Sequence, residues 1–164
     1  SFYDFCDELG MVVWAEIPFI SRFINTKEAK EDTVRQMREL IMQNYNHPSI
    51  CFWGISNEIT MGEESDELVE NQRILQKLCH KLDPSRKTVL ANLTTVESQS
   101  EQNKITDLSA YNVYMGWYAG KVEDCGAWMD SLHKENSDMC MGISEYGADT
   151  NVRATCCRTN SNVG

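Results

Sequence analysis

The sequence predicts an α/β fold in which strands and helices alternate around a parallel sheet, and two patterns carry this prediction. Short apolar runs rich in β-branched residues alternate with longer segments whose apolar residues recur at helical spacing. The distances between these segments suit parallel βαβ units, which build either a barrel or a doubly wound sheet. No predicted strand is followed by a glycine-rich turn, so a dinucleotide-binding fold is not supported.

The first part of the chain predicts two helices separated by a short strand. Apolar residues at helical spacing predict an opening helix that ends at Gly10. The apolar face of this helix consists of Phe2, Phe5, Cys6 and Leu9. Residues 11–15 are expected to form a short buried strand that leads into Glu16. We expect the second helix to begin at Asn25 as N-cap, with Glu28 three residues later as in a capping box. The apolar stripe of the second helix is Val34, Met37, Leu40 and Ile41.

The most informative stretch is residues 46–58, with the sequence NHPSICFWGISNE. Its middle, residues 50–55, is an apolar run typical of a strand that is buried on both faces. Pro48 precedes the run, where the entrance of a strand tolerates it. Glu58 follows the end of the strand, and α/β barrels place their chemistry at such strand ends. For an arbitrary glutamate, the simpler interpretation is the start of a solvated loop.

The second part of the chain continues the alternation of strands and helices. Its predicted elements are a helix over residues 65–82, a strand over 88–93, a polar loop over 94–104, a strand over 105–113, a helix with Val122, Cys125, Met129 and Leu132 on its apolar face, and a strand over 139–144. Glu145 follows the last strand, so a second carboxylate stands at a strand end.

Composition bounds the class of protein. The chain has 164 residues, of which 41% are hydrophobic, which is enough for the core of about one domain. Its net charge of −10 argues against nucleic acids and anionic membrane surfaces as partners. No stretch approaches the roughly 18 apolar residues of a membrane span, and no signal peptide is visible.

Seven cysteines are scattered along the chain without a C-x-x-C pair, which fits neither a disulfide framework nor a structural zinc site. Cys51 and Cys140 lie in strand-like runs, so we expect them to be buried small hydrophobes. Because the cysteines show no disulfide pattern, we infer a reducing compartment and expect the protein to be cytoplasmic. Neither a metal nor a cofactor is expected.

Glu58 and Glu145 are the candidate catalytic pair. In a barrel all strand C-termini open on one face, so these two carboxylates can converge on one pocket. Glycosidic bond cleavage needs such a pair, because one group protonates the leaving oxygen while the other attacks the sugar carbon.

Three motifs, in this order, resemble glycoside hydrolase family 2, which includes β-galactosidases, β-glucuronidases and β-mannosidases. Residues 46–58 are similar to the acid/base signature of the family. The run NVYMGWY at residues 112–118 resembles an intervening motif, and SEYGADT at residues 144–150 resembles the nucleophile segment. Scaffold stretches at residues 3–10 and 82–86 are also similar.

The resemblance implies a retaining β-glycosidase whose catalytic domain is a TIM barrel. Glu58 at the end of the fourth barrel strand would be the general acid/base, and Glu145 at the end of the seventh would be the nucleophile. Asn57 would bind the sugar 2-hydroxyl, and Tyr114 would donate a hydrogen bond to the nucleophile.

Further sugar contacts are expected from Glu16 and from aromatic side chains. Glu16 ends the third barrel strand and is placed to touch the sugar or a neighbouring loop. Trp117 is the substrate-binding candidate among the aromatic residues that offer flat surface for stacking on sugar rings, which are Trp53, Tyr114, Trp117, Tyr118 and Tyr146.

The resemblance extends over residues 1–152, which predicts an incomplete (β/α)8 barrel with strands three to seven. Residues 153–164 do not resemble the family, and we expect this cysteine-rich tail to be disordered. A barrel needs eight strands, so an alternative to an active enzyme is an inactive fragment that binds sugar weakly or self-associates through unpaired barrel edges.

The expected substrate is a terminal β-linked sugar. Residues 14–18 resemble β-galactosidases of the family more than β-glucuronidases. A β-galactosidase is therefore the preferred prediction, and a β-glucuronidase is the alternative.

Overall fold

Nine regular elements and one short 3₁₀ helix alternate along the chain in the computed structural model, which describes residues 1–61 and 64–148. The elements are α1 (Phe2–Leu9), β1 (Val13–Glu16), α2 (Lys27–Asn44), β2 (Ile50–Asn57), α3 (Asp66–Leu82), β3 (Lys87–Leu93), the 3₁₀ helix (Glu101–Lys104), β4 (Leu108–Val113), α4 (Asp124–Glu135) and β5 (Met141–Tyr146). Each predicted strand and helix has a counterpart. The predicted tail, residues 153–164, lies outside the described residues.

The five strands form one sheet in the order β1-β2-β3-β4-β5, and each neighbouring pair is parallel. A doubly wound sheet reverses its strand order at a switch point, and this sheet does not. The order is that of a barrel wall, which confirms an α/β fold with part of a TIM barrel.

The main core lies between the sheet and helices α2 and α3. It forms because the apolar stripe of each helix covers strands whose side chains are apolar on both faces. Its fully buried side chains include Met37, Ile41, Ile50, Trp53, Ile55, Leu68, Leu75 and Leu90. A smaller cluster, Tyr111, Val113 and Leu132, joins β4 to α4.

The start of α2 differs from the prediction by one residue. The N-cap is Thr26 rather than Asn25, because Thr26 has the extended backbone that a cap needs and its hydroxyl accepts a hydrogen bond from the Ala29 amide at 3.2 Å. Glu28 lies in the first turn and does not complete a capping box. The shift leaves the apolar stripe in place.

The predicted apolar face of α1 is wrong. Phe2, Phe5 and Leu9 are 68%, 65% and 75% exposed, and of the four predicted residues Cys6 alone is buried. The helix contacts the rest of the chain through Tyr3, Cys6 and Asp7 instead. The Asp7 carboxylate binds His47 Nδ1 at 2.7 Å and accepts from the Ser49 amide at 2.9 Å. These bonds anchor α1 to the entrance of β2.

The interpretation of two cysteines as buried hydrophobes is also wrong. Cys140 is exposed because β5 starts at Met141, two residues after the predicted start at residue 139, and lies at an edge of the sheet. Cys51 is half-buried. Every cysteine within the described residues is free.

The entrance of β2 is held by Arg86. Its guanidinium donates to the carbonyls of Ile50 and His47 at 2.7 and 2.8 Å and to Asp83 Oδ2 at 2.7 Å. The indole of Trp53 donates to the same Asp83 oxygen at 3.0 Å. Burial alone would raise the pKa of Asp83, but hydrogen bonds from Ser85, Arg86 and Trp53 outweigh it and lower that pKa to about 2.

Across the described part of the chain, no helix has both the length and the apolar character that crossing a bilayer requires.

Candidate active site

Glu58 stands directly after β2 in an unusual backbone conformation. One extra residue on β2 shifts its register against β3 between Gly54 and Asn57. Glu58 itself has φ = 46°, a left-handed conformation that costs roughly 1–3 kcal/mol for a residue with a Cβ. Its amide still donates to the Ala91 carbonyl at 2.9 Å. The bulge and the turn together fix where the Glu58 side chain leaves the sheet.

Glu145 lies near the end of β5, where a second register shift occurs. Tyr111 pairs with Ile143 and the next residue, Asn112, pairs with Glu145, so Ser144 is an extra residue without a partner. Bulges re-aim side chains beside active sites in many proteins. Both candidate carboxylates therefore follow an irregularity in their strands.

Glu58 and Glu145 line the same cavity, which has a volume of about 570 Å³. Polar groups of Asn112, Tyr114 and Asp124 also line it. The rest of the wall is mostly apolar and consists of Met61, Leu93, Thr94, Met115, Tyr118, Ala119 and Gly120. The structure thus brings the two predicted carboxylates to one pocket from two strands that are not neighbours.

Tyr114 contacts Glu145 directly, since its hydroxyl donates a hydrogen bond to Glu145 Oε2. This bond raises the pKa of Tyr114 to about 12, because an ionised phenolate would lose the bond and face the Glu145 charge. Desolvation adds to the rise. The tyrosine is thereby held as a hydrogen-bond donor to the carboxylate.

Asn112 contacts Glu58 from near the end of β4. Its Nδ2 donates to Glu58 Oε1 at 2.9 Å and to Asn57 Oδ1 at 3.1 Å. Its Oδ1 accepts from the Ser144 hydroxyl at 2.6 Å. The sequence placed Asn112 in a motif without giving it a contact, and its position at the polar end of a buried strand was the available signal.

Glu16 lines a second cavity of about 280 Å³, and Glu145 lies between the two cavities because it lines both. The remaining lining residues are Trp14, Asn57, Ala91 and Ser144. The Trp14 indole donates to Glu16 Oε2 at 2.9 Å. Loss of water around the carboxylate raises the pKa of Glu16, the negative charge of Glu145 adds to the rise, and the Trp14 bond opposes it.

Gly54 makes room for this pair on β2. A Cβ at this position would lie 2.2 Å from Trp14 Nε1 and 2.4 Å from Glu16 Cβ. A side chain therefore cannot be added here without moving Trp14 and Glu16.

The aromatic residues separate into three groups. Trp53 is fully buried and bonded to Asp83, so its interpretation as a sugar-stacking surface is wrong. Tyr118 lines the larger cavity and packs edge-on against Tyr114, with 5.2 Å between the ring centroids. Trp117 is about half exposed and lines neither cavity, and Tyr146 is exposed.

A possible cation site lies elsewhere. Among the described residues, the one group with three potential metal-ligand atoms is Asp4, Asp7 and His47. It lies at the entrance of β2, whereas Glu58 follows the exit of that strand. Asp7 there already binds His47 and the Ser49 amide.

The larger cavity thus presents two carboxylates with different partners, one bonded to a phenol and the other to an amide. Two carboxylates that face one pocket can divide the roles of acid and nucleophile in glycosidic bond cleavage.

Comparison with known proteins agrees with this assignment of the fold. A family model described as "Glycosyl hydrolases family 2, TIM barrel domain" matches residues 1–158. A β-glucuronidase from Bacteroides fragilis is 38% identical over 157 residues, covering 92% of this chain and 22% of the relative. A β-galactosidase from Thermoanaerobacterium thermosulfurigenes is 37% identical over 87 residues, covering 53% of this chain and 11% of the relative.

A solved structure, described as an FMN-binding β-glucuronidase from Facaelibacterium prausnitzii L2-6, has 54% sequence identity and a TM-score of 0.90. The match covers 92% of this chain and 24% of that one. The chain therefore spans about a fifth of the length of the first curated relatives, 22% and 18%.

Proposed function

The chain belongs to glycosyl hydrolase family 2, and from that premise we propose that it forms part of the catalytic barrel of a retaining β-glycosidase. Glu58 is the acid/base and Glu145 the nucleophile. One observation carries this proposal: both carboxylates line one cavity of about 570 Å³, although they follow different, non-adjacent strands.

In the first step, a Glu145 oxygen attacks the anomeric carbon of the sugar while Glu58 transfers its proton to the glycosidic oxygen. The bond between that carbon and the leaving oxygen breaks, and an ester joins the sugar to Glu145. The Tyr114 hydroxyl, already bonded to Glu145, supports this role because it holds the carboxylate in one orientation.

In the second step, Glu58 accepts a proton from water, and the water oxygen attacks the same carbon from the opposite side. The ester breaks and Glu145 is released as a carboxylate. Two inversions give net retention. Asn57, whose side chain is bonded to Asn112 beside Glu58, is the proposed partner of the sugar 2-hydroxyl.

We propose β-glucuronides as the first substrates to test and β-galactosides as the second. The stretch at residues 14–18 favours galactosides, because it resembles β-galactosidases of the family. Two relatives that each cover 92% of the chain support glucuronides instead, since those at 38% and 54% identity are both named β-glucuronidase. Glu16 and Trp117 are further proposed sugar contacts, and Glu16 lies closer to the chemistry because it shares a cavity with Glu145.

The test is hydrolysis of the p-nitrophenyl β-glucuronide and β-galactoside by the whole protein in which this chain occurs. The Glu145→Gln and Glu58→Gln variants serve as matched controls because they keep the side-chain size. We expect hydrolysis of one glycoside by the wild type and its loss in Glu145→Gln. Hydrolysis that persists unchanged in Glu145→Gln would come from a contaminant and would refute the proposal.

The second candidate function, an inactive fragment, is favoured by one observation. Within the described residues β1 and β5 each have one unpaired edge. Pairing of these edges would produce self-association. Light scattering of the isolated chain, beside the same glycosidase assay, distinguishes a monomeric active chain from an associated inactive one.

A further inference from the structure

Resting on the function proposed above, we propose that Ser144 and Asn112 are positioning residues for Glu58. They form a relay of hydrogen bonds that runs from the strand of the nucleophile, through the neighbouring strand, to the acid/base. Ser144 is thus assigned to the carboxylate across the sheet rather than to Glu145, its neighbour in sequence.

The contacts of Asn112 are the first support. An asparagine amide offers two N–H donors and one carbonyl oxygen. Here the nitrogen donates to both Glu58 Oε1 and Asn57 Oδ1, and the oxygen accepts from Ser144. The amide therefore cannot turn over without facing its carbonyl oxygen toward the Glu58 carboxylate.

Burial is the second support. Asn112 is only 3% exposed, so water cannot replace a lost partner freely. The Ser144 hydroxyl, at 2.6 Å, is the one protein hydrogen bond recorded for Asn112 Oδ1 in the described residues. If that hydroxyl is removed, the amide loses the bond that holds its oxygen on the side away from Glu58.

The bulge in β5 is the third support. In a regular strand, consecutive side chains point to opposite faces of the sheet. Ser144 is the extra residue of the bulge, and both Ser144 and Glu145 line the 280 Å³ cavity. The irregularity therefore lets one strand supply both the nucleophile and the hydroxyl that orients the partner of the acid/base.

The test compares two glycosides of the same sugar in the whole protein, one with a phenyl and one with a 2,4-dinitrophenyl leaving group. The phenolate needs protonation by Glu58, whereas the dinitrophenolate leaves without it. We expect Ser144→Ala to lower kcat/KM for the phenyl glycoside about tenfold, which is part of the roughly 10²–10⁴-fold contribution of general acid catalysis, because Glu58 itself remains. For the dinitrophenyl glycoside we expect a change in kcat/KM of less than about threefold.

Two control variants test the cause. Ser144→Thr keeps the hydroxyl, so we expect it to restore the ratio of the two rates. Ser109→Ala removes another strand serine that donates to an asparagine, Asn103, at 3.0 Å outside the cavity. Any loss of kcat/KM in Ser109→Ala should be equal for the phenyl and the dinitrophenyl glycoside. Equal losses in Ser144→Ala would overturn the proposal, because they would place the effect on Glu145 or on folding.

A crystal structure of Ser144→Ala tests the positioning role independently of whether the protein is a glycosidase. We expect the Asn112 amide to turn away from Glu58 Oε1 in the variant. An unchanged contact of about 2.9 Å would overturn the positioning role whether or not the protein is a glycosidase. Absence of hydrolysis by the wild type would refute the proposed function alone.

Discussion

The Tyr114 hydroxyl donates a hydrogen bond to Glu145 Oε2. Tyr114 directly follows β4, which pairs with β5, the strand that carries Glu145. This contact joins the motif at residues 112–118 to the motif at residues 144–150. It places a neutral donor, with its pKa raised to about 12, against the proposed nucleophile. The donor persists across the pH range in which glycosidases are assayed.

Tyr114→Phe should therefore lower kcat with little change in KM. A hydrogen bond to a charged group contributes about 1.5–3 kcal/mol, which corresponds to roughly a 10–160-fold loss of rate. Steady-state kinetics on the best p-nitrophenyl glycoside measures this. Tyr118→Phe is the matched control, since Tyr118 lines the same cavity but makes no recorded side-chain hydrogen bond within the described residues. Equal losses in both variants would contradict a specific role for the Tyr114 hydroxyl.

Gly54→Ala should destabilise the protein. The added methyl group would lie 2.2 Å from Trp14 Nε1, so Trp14 and Glu16 must move, and overpacking of this kind costs about 1–3 kcal/mol. The free energy of unfolding from denaturant titration measures the effect. Gly126→Ala is the control, because nothing lies within 4 Å of the added Cβ in α4, and a gain of roughly 0.5–1 kcal/mol is expected there. An unchanged free energy of unfolding in Gly54→Ala would contradict the close packing at this site.

Arg86→Met should destabilise the protein far more than a change in a surface arginine. It leaves the buried Asp83 carboxylate without its cationic partner, and breaking a buried pair costs about 3–5 kcal/mol. Arg35→Met removes exposed pairs with Asp32 and Glu39, worth about 0–1 kcal/mol. Chemical denaturation of both variants compares them. Similar losses of unfolding free energy in Arg86→Met and Arg35→Met would show that Arg86 does not hold the entrance of β2.

Acid should weaken the fold through Asp7 and Asp83, whose pKa values are both lowered to about 2. A lowered pKa in the native state means that the unfolded chain binds more protons, so stability rises with pH. The contribution is complete above the unfolded pKa of about 3.9 and is lost as the pH falls toward 2. We expect the free energy of unfolding, measured from about pH 6 to about pH 2, to fall less steeply in Asp83→Asn than in the wild type. An identical pH slope would contradict the assignment.

The sequence placed Glu58 and Glu145 at the ends of buried apolar runs. A carboxylate in that position is more simply the start of a solvated loop, so predicting the two as a pair also depended on the resemblance to glycoside hydrolase family 2. The sequence also predicted the alternation of strands and helices, since helical and strand periodicities differ along this chain. Periodicity alone did not distinguish a barrel from a doubly wound sheet, because both folds use the same βαβ units. The resemblance to the family predicted a barrel, and the strand order in the structure confirms it.

Other features depend on contacts between distant residues and leave no local pattern. The bulge at Ser144 is a mismatch between two strands, so it cannot be read from either strand alone. Trp53 was misinterpreted because a buried indole bonded to Asp83 has the same sequence pattern as a sugar platform. The face of α1 was misassigned since periodicity finds an apolar stripe but does not say which side the rest of the chain covers.

Covalent trapping of the glycosyl-enzyme intermediate tests the central claim most directly. A 2,4-dinitrophenyl 2-deoxy-2-fluoroglycoside of the hydrolysed sugar slows the second step and lets the ester accumulate. Peptide mapping by mass spectrometry should then place the sugar on Glu145 in the wild type, and no label should form in Glu145→Gln. A label on Glu58 or Glu16, or rapid hydrolysis by a Glu145→Gln protein, would contradict the account.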